Sequence, residues 1–312
     1  MYNAGSCACS RTSPEERLMT PRRSRPAHKE RRLSHLNWME MGEVVPRRVH
    51  TLLLPVGTLE AHGITSLGTD NVIPTRLSEA LAERLNAVVA PTIPYGVTAH
   101  LGALAGGTHV RADAFTDYVA AVLTTMSHQG FSNIIVMNGH GGNSEALKEA
   151  VRRVHEETGV YLAVFSWWTE CRGVSEEILG VPGGHGGSDE TAAMLAIASE
   201  QVFPDRWDPS IAFEHRDSLV AYPTPGSLIF YGGRRSDPVF HTKRALLFWA
   251  KVVDHVGDVL EDLIARWDRE GWPAPRSRRR GHGRGTVGNG SPQRPGIAAV
   301  PPPQVPRRSP KK

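Results

Sequence analysis

Three short stretches of this 312-residue chain carry side chains whose types and spacing suit a divalent cation. In the first, Glu60 and His62 stand two residues apart, so in extended backbone both side chains point to one side. Asp70 follows within a short loop. An imidazole and two carboxylates that converge form a ligand set for a divalent transition metal; the plainer reading is a surface loop with two solvated acids. The second stretch, Asn138-Gly139-His140-Gly141-Gly142-Asn143, has three glycines in six residues, which permits close backbone approach around His140. A glycine-rich turn entering a helix can also cradle a phosphate, but this spacing fits neither the dinucleotide fingerprint nor the Walker loop. The third, Gly183-Gly184-His185-Gly186-Gly187-Ser188-Asp189-Glu190-Thr191, presents His185 with two acids that would equally complement a helix dipole.

Around these stretches the chain alternates between two periodicities. Residues 51–56, 88–90, 133–137 and 160–165 are short apolar runs that read as buried strands. Residues 75–86, with Leu77, Leu81 and Leu85 recurring every four positions, have helical spacing, as do 114–128, 144–158, 188–199 and about 242–267. Strands alternating with such helices predict an α/β fold: a mainly parallel sheet sandwiched by helices. In that architecture functional loops gather beyond the carboxyl ends of the strands. Each of the three stretches falls at such an edge.

The composition, 40% hydrophobic and 22% charged, is that of an enzyme-sized globular chain rather than a fibrous or repetitive one. The longest apolar run, residues 192–198, falls far short of the roughly 20 residues a membrane-spanning helix needs. Residues 1–35 contain no apolar stretch of the secretory-signal kind. Three cysteines (Cys7, Cys9 and Cys171) make no disulfide framework, so a cytoplasmic location is expected. The net charge of +4 is unevenly spread: residues 1–35 carry 8 Lys/Arg against 3 Asp/Glu, and residues 273–312 carry 10 Lys/Arg, 9 Pro, 6 Gly and no acid. Both ends read as disordered basic tails around one acidic domain over 36–272. Basic charge confined to tails gives weak, salt-sensitive affinity for polyanions; no specific nucleic-acid partner is expected.

The segments Pro55-Val56-Gly57-Thr58-Leu59-Glu60-Ala61-His62-Gly63, Asn138 to Asn143 and His185 to Thr191 together resemble the signature segments of the creatininase (creatinine amidohydrolase) family. Tyr95-Gly96, His100 and Gly107-Thr108 resemble a fourth, weaker one, so the likeness runs over residues 48–200. The resemblance implies an α/β sandwich, a binuclear centre of zinc, manganese or iron, hydrolysis of C–N bonds outside ordinary peptides, and a homo-oligomer, often a hexamer. By position it assigns Glu60 and His140 to one metal and His62 to the second, with Asp70 bridging. Creatinine-cleaving members have a Glu at the place of Gly142, which makes Glu190 the candidate last ligand here and counts against creatinine itself. The loop 63–68 is one residue shorter than is common in the family and lacks its second His.

The same resemblance makes His185 the catalytic acid for the departing nitrogen, a role that an imidazole titrating near neutrality can fill; an orienting His beside a ligand is the alternative. His100, Trp167 and Trp168 are candidates for contact with a small-molecule substrate, although core packing claims one of the tryptophans. His109, His128, His155, His215 and His255 lack comparable context, and Cys171 has no partner that would make it a nucleophile. The expected activity is metal-dependent amide, cyclic-amide or formamide hydrolysis. Within the family, a peptidase maturing a redox peptide, a deformylase of a ribosylaminopyrimidine and the ring hydrolysis of a cyclic polyol ketone are alternatives. A phosphate-bearing substrate would require Arg or Lys near the metals, for which Arg76, Arg111, Arg234, Arg235 and Lys243 are available. A non-catalytic binding protein with polyanion-binding tails is the alternative of another class.

Overall fold

The structure, a computed structural model, describes residues 29–270. The proposed tails fall largely on residues 1–28 and 271–312, which lie outside the described residues. Residues 29–35, assigned to the first tail from sequence, are folded: the Val89 N–H donates to the Arg31 carbonyl at 2.7 Å, and Arg32 bridges to Val89.

Four parallel strands form the central sheet: β1 (Thr51–Val56), β2 (Ala87–Val89), β3 (Asn133–Asn138) and β4 (Tyr161–Ser166), in the order β2-β1-β3-β4. Pleating sends alternate residues to opposite faces. Leu53, Ile135, Met137 and Phe165 enter one core, against α2 (Thr69–Leu81), α7 (Ser188–Ile197) and α8 (Thr242–Glu270). Leu52, Leu54, Ile134 and Val136 enter the other, against α1 (Trp38–Val44), α3 (Ala112–His128) and α4 (Ser144–Thr158). With no solvated face, β1 and β3 are buried at all six positions, which is why they read as continuous apolar runs. In α8 the buried stripe Phe248, Val252, Val256 and Leu260 recurs every four residues and closes the first core.

Two short helices, α5 (Trp167–Glu170) and α6 (Arg172–Leu179), follow β4, and a separate parallel pair, β5 (Ala212–His215) with β6 (Leu228–Tyr231), lies after α7. Helix α2 departs from its sequence reading. It begins at Thr69 rather than 75 and carries Pro74 inside, so Asp70 sits in its first turn. Pro74 has no N–H to offer the Asp70 carbonyl, and the backbone of Gly139 closes over that carbonyl instead: a Cβ on Gly139 would collide with the Asp70 oxygen. Gly57 meets the same oxygen from β1's side. The glycines of the two loops therefore admit the N-terminus of α2, not a phosphate.

Strands β1 and β3 are neighbours, but the chain leaves β1 toward β2 on one side and returns to β3 on the other. The carboxyl ends of this pair are the switch point at which open α/β sheets place their sites.

Candidate metal centre and its cavity

At that switch point the loop after β1 delivers Glu60 and His62, the loop after β3 delivers His140, and the first turn of α2 delivers Asp70. The first turn of α7 adds Glu190, and the turn before it adds His185. His62 is 1% exposed, Glu60 and Asp70 2%, Glu190 7% and His140 9%, so the cluster is largely withdrawn from water. Asp70 faces two imidazoles with different oxygens: its Oδ1 lies 2.8 Å from His62 Nε2, and its Oδ2 lies 3.0 Å from His140 Nδ1. Glu60 Oε1 is 3.1 Å from His140 Nδ1 and 3.5 Å from His185 Nδ1, and Glu190 Oε2 is 3.8 Å from His62 Nε2.

Every imidazole is oriented from behind. His62 Nδ1 donates to the Glu60 carbonyl at 3.0 Å, His140 Nε2 to the Val97 carbonyl at 3.0 Å and His185 Nε2 to the Ala61 carbonyl at 2.7 Å. Each thereby aims its other ring nitrogen into the cluster, the arrangement that fixes metal-ligating histidines. The His140 support is itself braced, because Asn143 Oδ1 accepts from the Val97 N–H at 2.8 Å and its Nδ2 donates to the Gly57 carbonyl at 3.1 Å. Asn143 is fully buried. An Asn inside a glycine-rich turn is the sequence signal of such a brace.

The donor atoms fall into three groups within 4.8 Å: Glu60, Asp70 and His140; His62, Asp70 and Glu190; and Glu60, His62 and His185. The test of fit is the hydrogen bonding. His62 Nε2 and Asp70 Oδ2 are buried yet complete no hydrogen bond, despite their short contacts. Buried polar atoms left without a hydrogen bond are ones that a cation would satisfy. Mixed imidazole and carboxylate donors suit zinc, manganese or iron.

Charges in the metal-free cluster point the same way. Burial disfavours charge on His62, but the Asp70 and Glu190 carboxylates outweigh it and raise its pKa to about 10. Burial likewise opposes charge on His140, where Asp70 and Glu60 win and hold it well above the usual imidazole range. Burial pushes Glu190 up to about 8. Burial and the charge of His62 bring His185 down to about 4, below the near-neutral titration expected from sequence, so it stands as a neutral imidazole that must first accept a proton before it can act as an acid. Protons take the place that cations would occupy.

A cavity of about 530 Å³ opens above the cluster, within the size range of small-molecule sites. His100 is at its rim, stacked on Tyr222 with centroids 4.3 Å apart. Trp168 lines the wall; Trp167 does not. Its side chain is 1% exposed in the core beneath α7 and α8, so its assignment to substrate is corrected. The reason is helical phase: Trp167, Cys171 and Ser175 recur every four residues on the buried face, and Trp168 and Arg172 on the cavity face. Burial also pushes the Cys171 thiol up to about 12, which leaves it inert. His215, read from sequence as structural or surface, lines the cavity beside Tyr231, with ring centroids 5.2 Å apart. Gly142, the place of the creatinine-cleaving Glu, is closed: a Cβ there would strike the Val97 carbonyl.

A three-layer α/β/α sandwich with buried imidazoles and carboxylates at its switch point defines a metal-dependent hydrolase. The chain belongs to the creatininase family, whose model, creatininase (creatinine amidohydrolase), matches residues 34–243. The creatinine amidohydrolase of Pseudomonas putida is 29% identical over 222 residues, covering 63% of this chain and 85% of that protein. The mycofactocin precursor peptide peptidase of Mycobacterium ulcerans is 30% identical over 174 residues, covering 52% of this chain and 64% of that protein. Among solved structures, a creatininase variant described as of the Zn-Zn type superposes with a TM-score of 0.65 and 25% identity, covering 76% of this chain and 99% of that one.

Proposed function

We propose that this chain hydrolyses an amide-type C–N bond of a small molecule with two divalent ions, one held by Glu60, His140 and Asp70 and the other by His62, Glu190 and Asp70. The observation that carries this reading is the bridging pose of Asp70, whose two oxygens serve two different imidazoles at 2.8 and 3.0 Å. Divalent ions at such a site polarise the amide carbonyl and lower the pKa of a shared water toward neutrality. His185 moves the proton. Its Nε2–H is committed to Ala61, so Nδ1 accepts the proton that water loses as its oxygen bonds to the carbonyl carbon. The same Nδ1 then donates that proton to the nitrogen as the C–N bond breaks. His100 and Trp168 bound the space where the substrate body lies.

The buried polar cluster favours this enzyme over a binding protein with vestigial ligands, since five such groups without a cation are costly to bury. The peptidase alternative is supported by the likeness to the mycobacterial enzyme and the deformylase alternative by a likeness to a ribosylaminopyrimidinone monophosphate deformylase, although Arg172 is the one Arg or Lys lining the cavity among the described residues. A cytoplasmic location accords with the unpaired, buried Cys171, and no described helix is long and apolar enough to cross a membrane. Assembly of several copies accords with Leu246 and Leu247, both about half exposed on α8; light scattering on the full chain tests it.

Metal analysis of the purified full chain, followed by a panel of cyclic amides, formamides, lactams and short peptides, tests the proposal. About two equivalents per chain and release of amine or ammonia are expected. A chain that takes up no divalent ion rejects it.

A further inference from the structure

The cavity floor is built from acids and imidazoles, but its wall carries one strong cation among the described residues. Arg172 lines the cavity at the start of α6, one helical turn beyond Trp168 and on the same face. The other cations that could serve a charged substrate are elsewhere: Arg76 pairs with Glu79, Arg111 with Asp113, Arg234 with Glu176 and Arg235 with Asp237. None of them lines the cavity. Arg172 makes no ion pair or hydrogen bond within the described residues. Its charge is felt at Asp189, but that carboxylate already accepts from the Gly184 N–H at 3.0 Å. Thr224, Tyr231 and His215 line the same cavity, and the Trp168 ring lies beside Gly141, its Cζ2 4.0 Å from where a Cβ there would be.

We propose that Arg172 anchors a carboxylate of the substrate, so that the enzyme acts on amides bearing an acidic group a few bonds from the scissile C–N bond. This rests on the amidohydrolase reading of the same cavity. An arginine with five donors and no protein acceptor is disposed for bidentate capture of a planar carboxylate. One guanidinium matches the two oxygens of one carboxylate, and no second Arg or Lys among the described residues lines the cavity to share a phosphate dianion. The Trp168 face and the aliphatic wall of Leu101 and Ile229 hold the short apolar stem between the two ends. The geometry thus separates the enzyme from catalysts of neutral cyclic amides and from deformylases of phosphorylated substrates.

The test uses succinamate and its neutral isostere succinamide, titrated calorimetrically into the metal-loaded full chain. Succinamate is expected to bind about 10- to 100-fold more tightly, the range for a hydrogen-bonded charge. In Arg172→Gln that preference falls by about tenfold or more, and Arg172→Lys retains part of it. Added salt weakens succinamate and leaves succinamide unchanged in the native chain, a readout that needs no variant. Equal binding of the two probes, or a preference untouched in Arg172→Gln, overturns the anchor. Inorganic phosphate displacing succinamate more strongly than acetate does, through Arg172, overturns the carboxylate assignment. Release of ammonia is measured separately: an intact binding preference with no hydrolysis anywhere in the amide panel rejects the reaction and not the anchor.

Discussion

The floor of the cavity and its rim obey different physics. On the floor, Glu60, His62, Asp70, His140 and Glu190 are buried, and each imidazole is locked from behind by a backbone carbonyl. At the rim, His100, Trp168, Arg172, His215 and Tyr231 are partly or fully exposed and are held by stacking or by helical phase. The floor tolerates few alternatives, because any misplaced buried charge is costly. The rim can be rebuilt without disturbing the fold. On the proposed reading the bond-breaking chemistry belongs to the floor, and the choice of substrate belongs to the rim.

The sharpest way to break this contrast is Asp70→Asn. The bridging carboxylate is lost, metal content falls, and kcat/KM is expected to drop by about a thousandfold or more, about 4 kcal/mol of transition-state stabilisation. The metal-free variant also loses about 3–5 kcal/mol of stability, because two buried imidazoles lose the carboxylate they share and their pKa values fall with it. Plasma emission analysis, steady-state kinetics and thermal melts check the three effects. Full activity with unchanged metal content would show that the bridging pose is incidental.

Next in size is the pair Trp167→Ala and Trp168→Ala. Trp167 fills the core under α7 and α8, so its removal should cost about 3–5 kcal/mol of stability. Trp168 is on the cavity wall; its removal should raise KM about tenfold and leave the denaturation midpoint nearly unchanged. Urea melts beside kinetics separate the two. Adjacent, identical residues with opposite outcomes would confirm the helical phase that divides rim from core.

That pair also shows what the chain's letters reveal. The buried cluster was legible because metal chemistry restricts residue types and favours glycine-flanked loops at strand ends, and the structure brings Glu60, His62, Asp70, His140 and Glu190 together there. The sheet was legible because β1 and β3, buried on both faces, leave unbroken apolar runs. Trp167 and Trp168 were not separable, since four residues of α5 set their phase and no periodicity can be measured over so short a helix. The start of α2 was misplaced because Pro74 reads as a breaker, and its tolerance depends on the Gly139 backbone, more than sixty residues away. His215 and Arg172 were invisible as cavity residues: β5 is four residues long, and Arg172's role depends on which side of α6 meets the opening.

Gly142→Ala probes the floor by a smaller step. The added Cβ would push into the Val97 carbonyl and crowd His140 Nε2, loosening the support that aims Nδ1. Loss of such an orienting partner costs about 10- to 100-fold in metal affinity. Competition with a chromophoric chelator measures it, and Gly141→Ala, whose Cβ would meet only the Trp168 ring at 4.0 Å, serves as the control. If both variants bind metal like the parent, the brace running from Asn143 through Val97 to His140 has no part in holding the ion.

The gentlest lever is pH, read here at the floor. In the metal-free chain His62 titrates at about 10 and Glu190 at about 8, both raised. A metal requires neutral His62 and ionised Glu190, so at pH 7 binding at their site expels two protons, and affinity climbs with pH. Each expelled proton contributes about tenfold per pH unit. The slope should therefore be close to two below pH 8, fall toward one between 8 and 10, and flatten above. Stability of the metal-free chain runs the other way. Both groups hold protons more tightly folded than unfolded, so the stability they contribute is complete below their unfolded pKa values and is lost as pH rises through 8 and then 10. The gain in Tm on adding metal should consequently widen from pH 6.5 to pH 9, whereas the preference for succinamate over succinamide, set by an arginine that does not titrate in this range, should stay constant. A metal-induced Tm shift that is flat in pH would mean that protons and cations do not compete for these ligands.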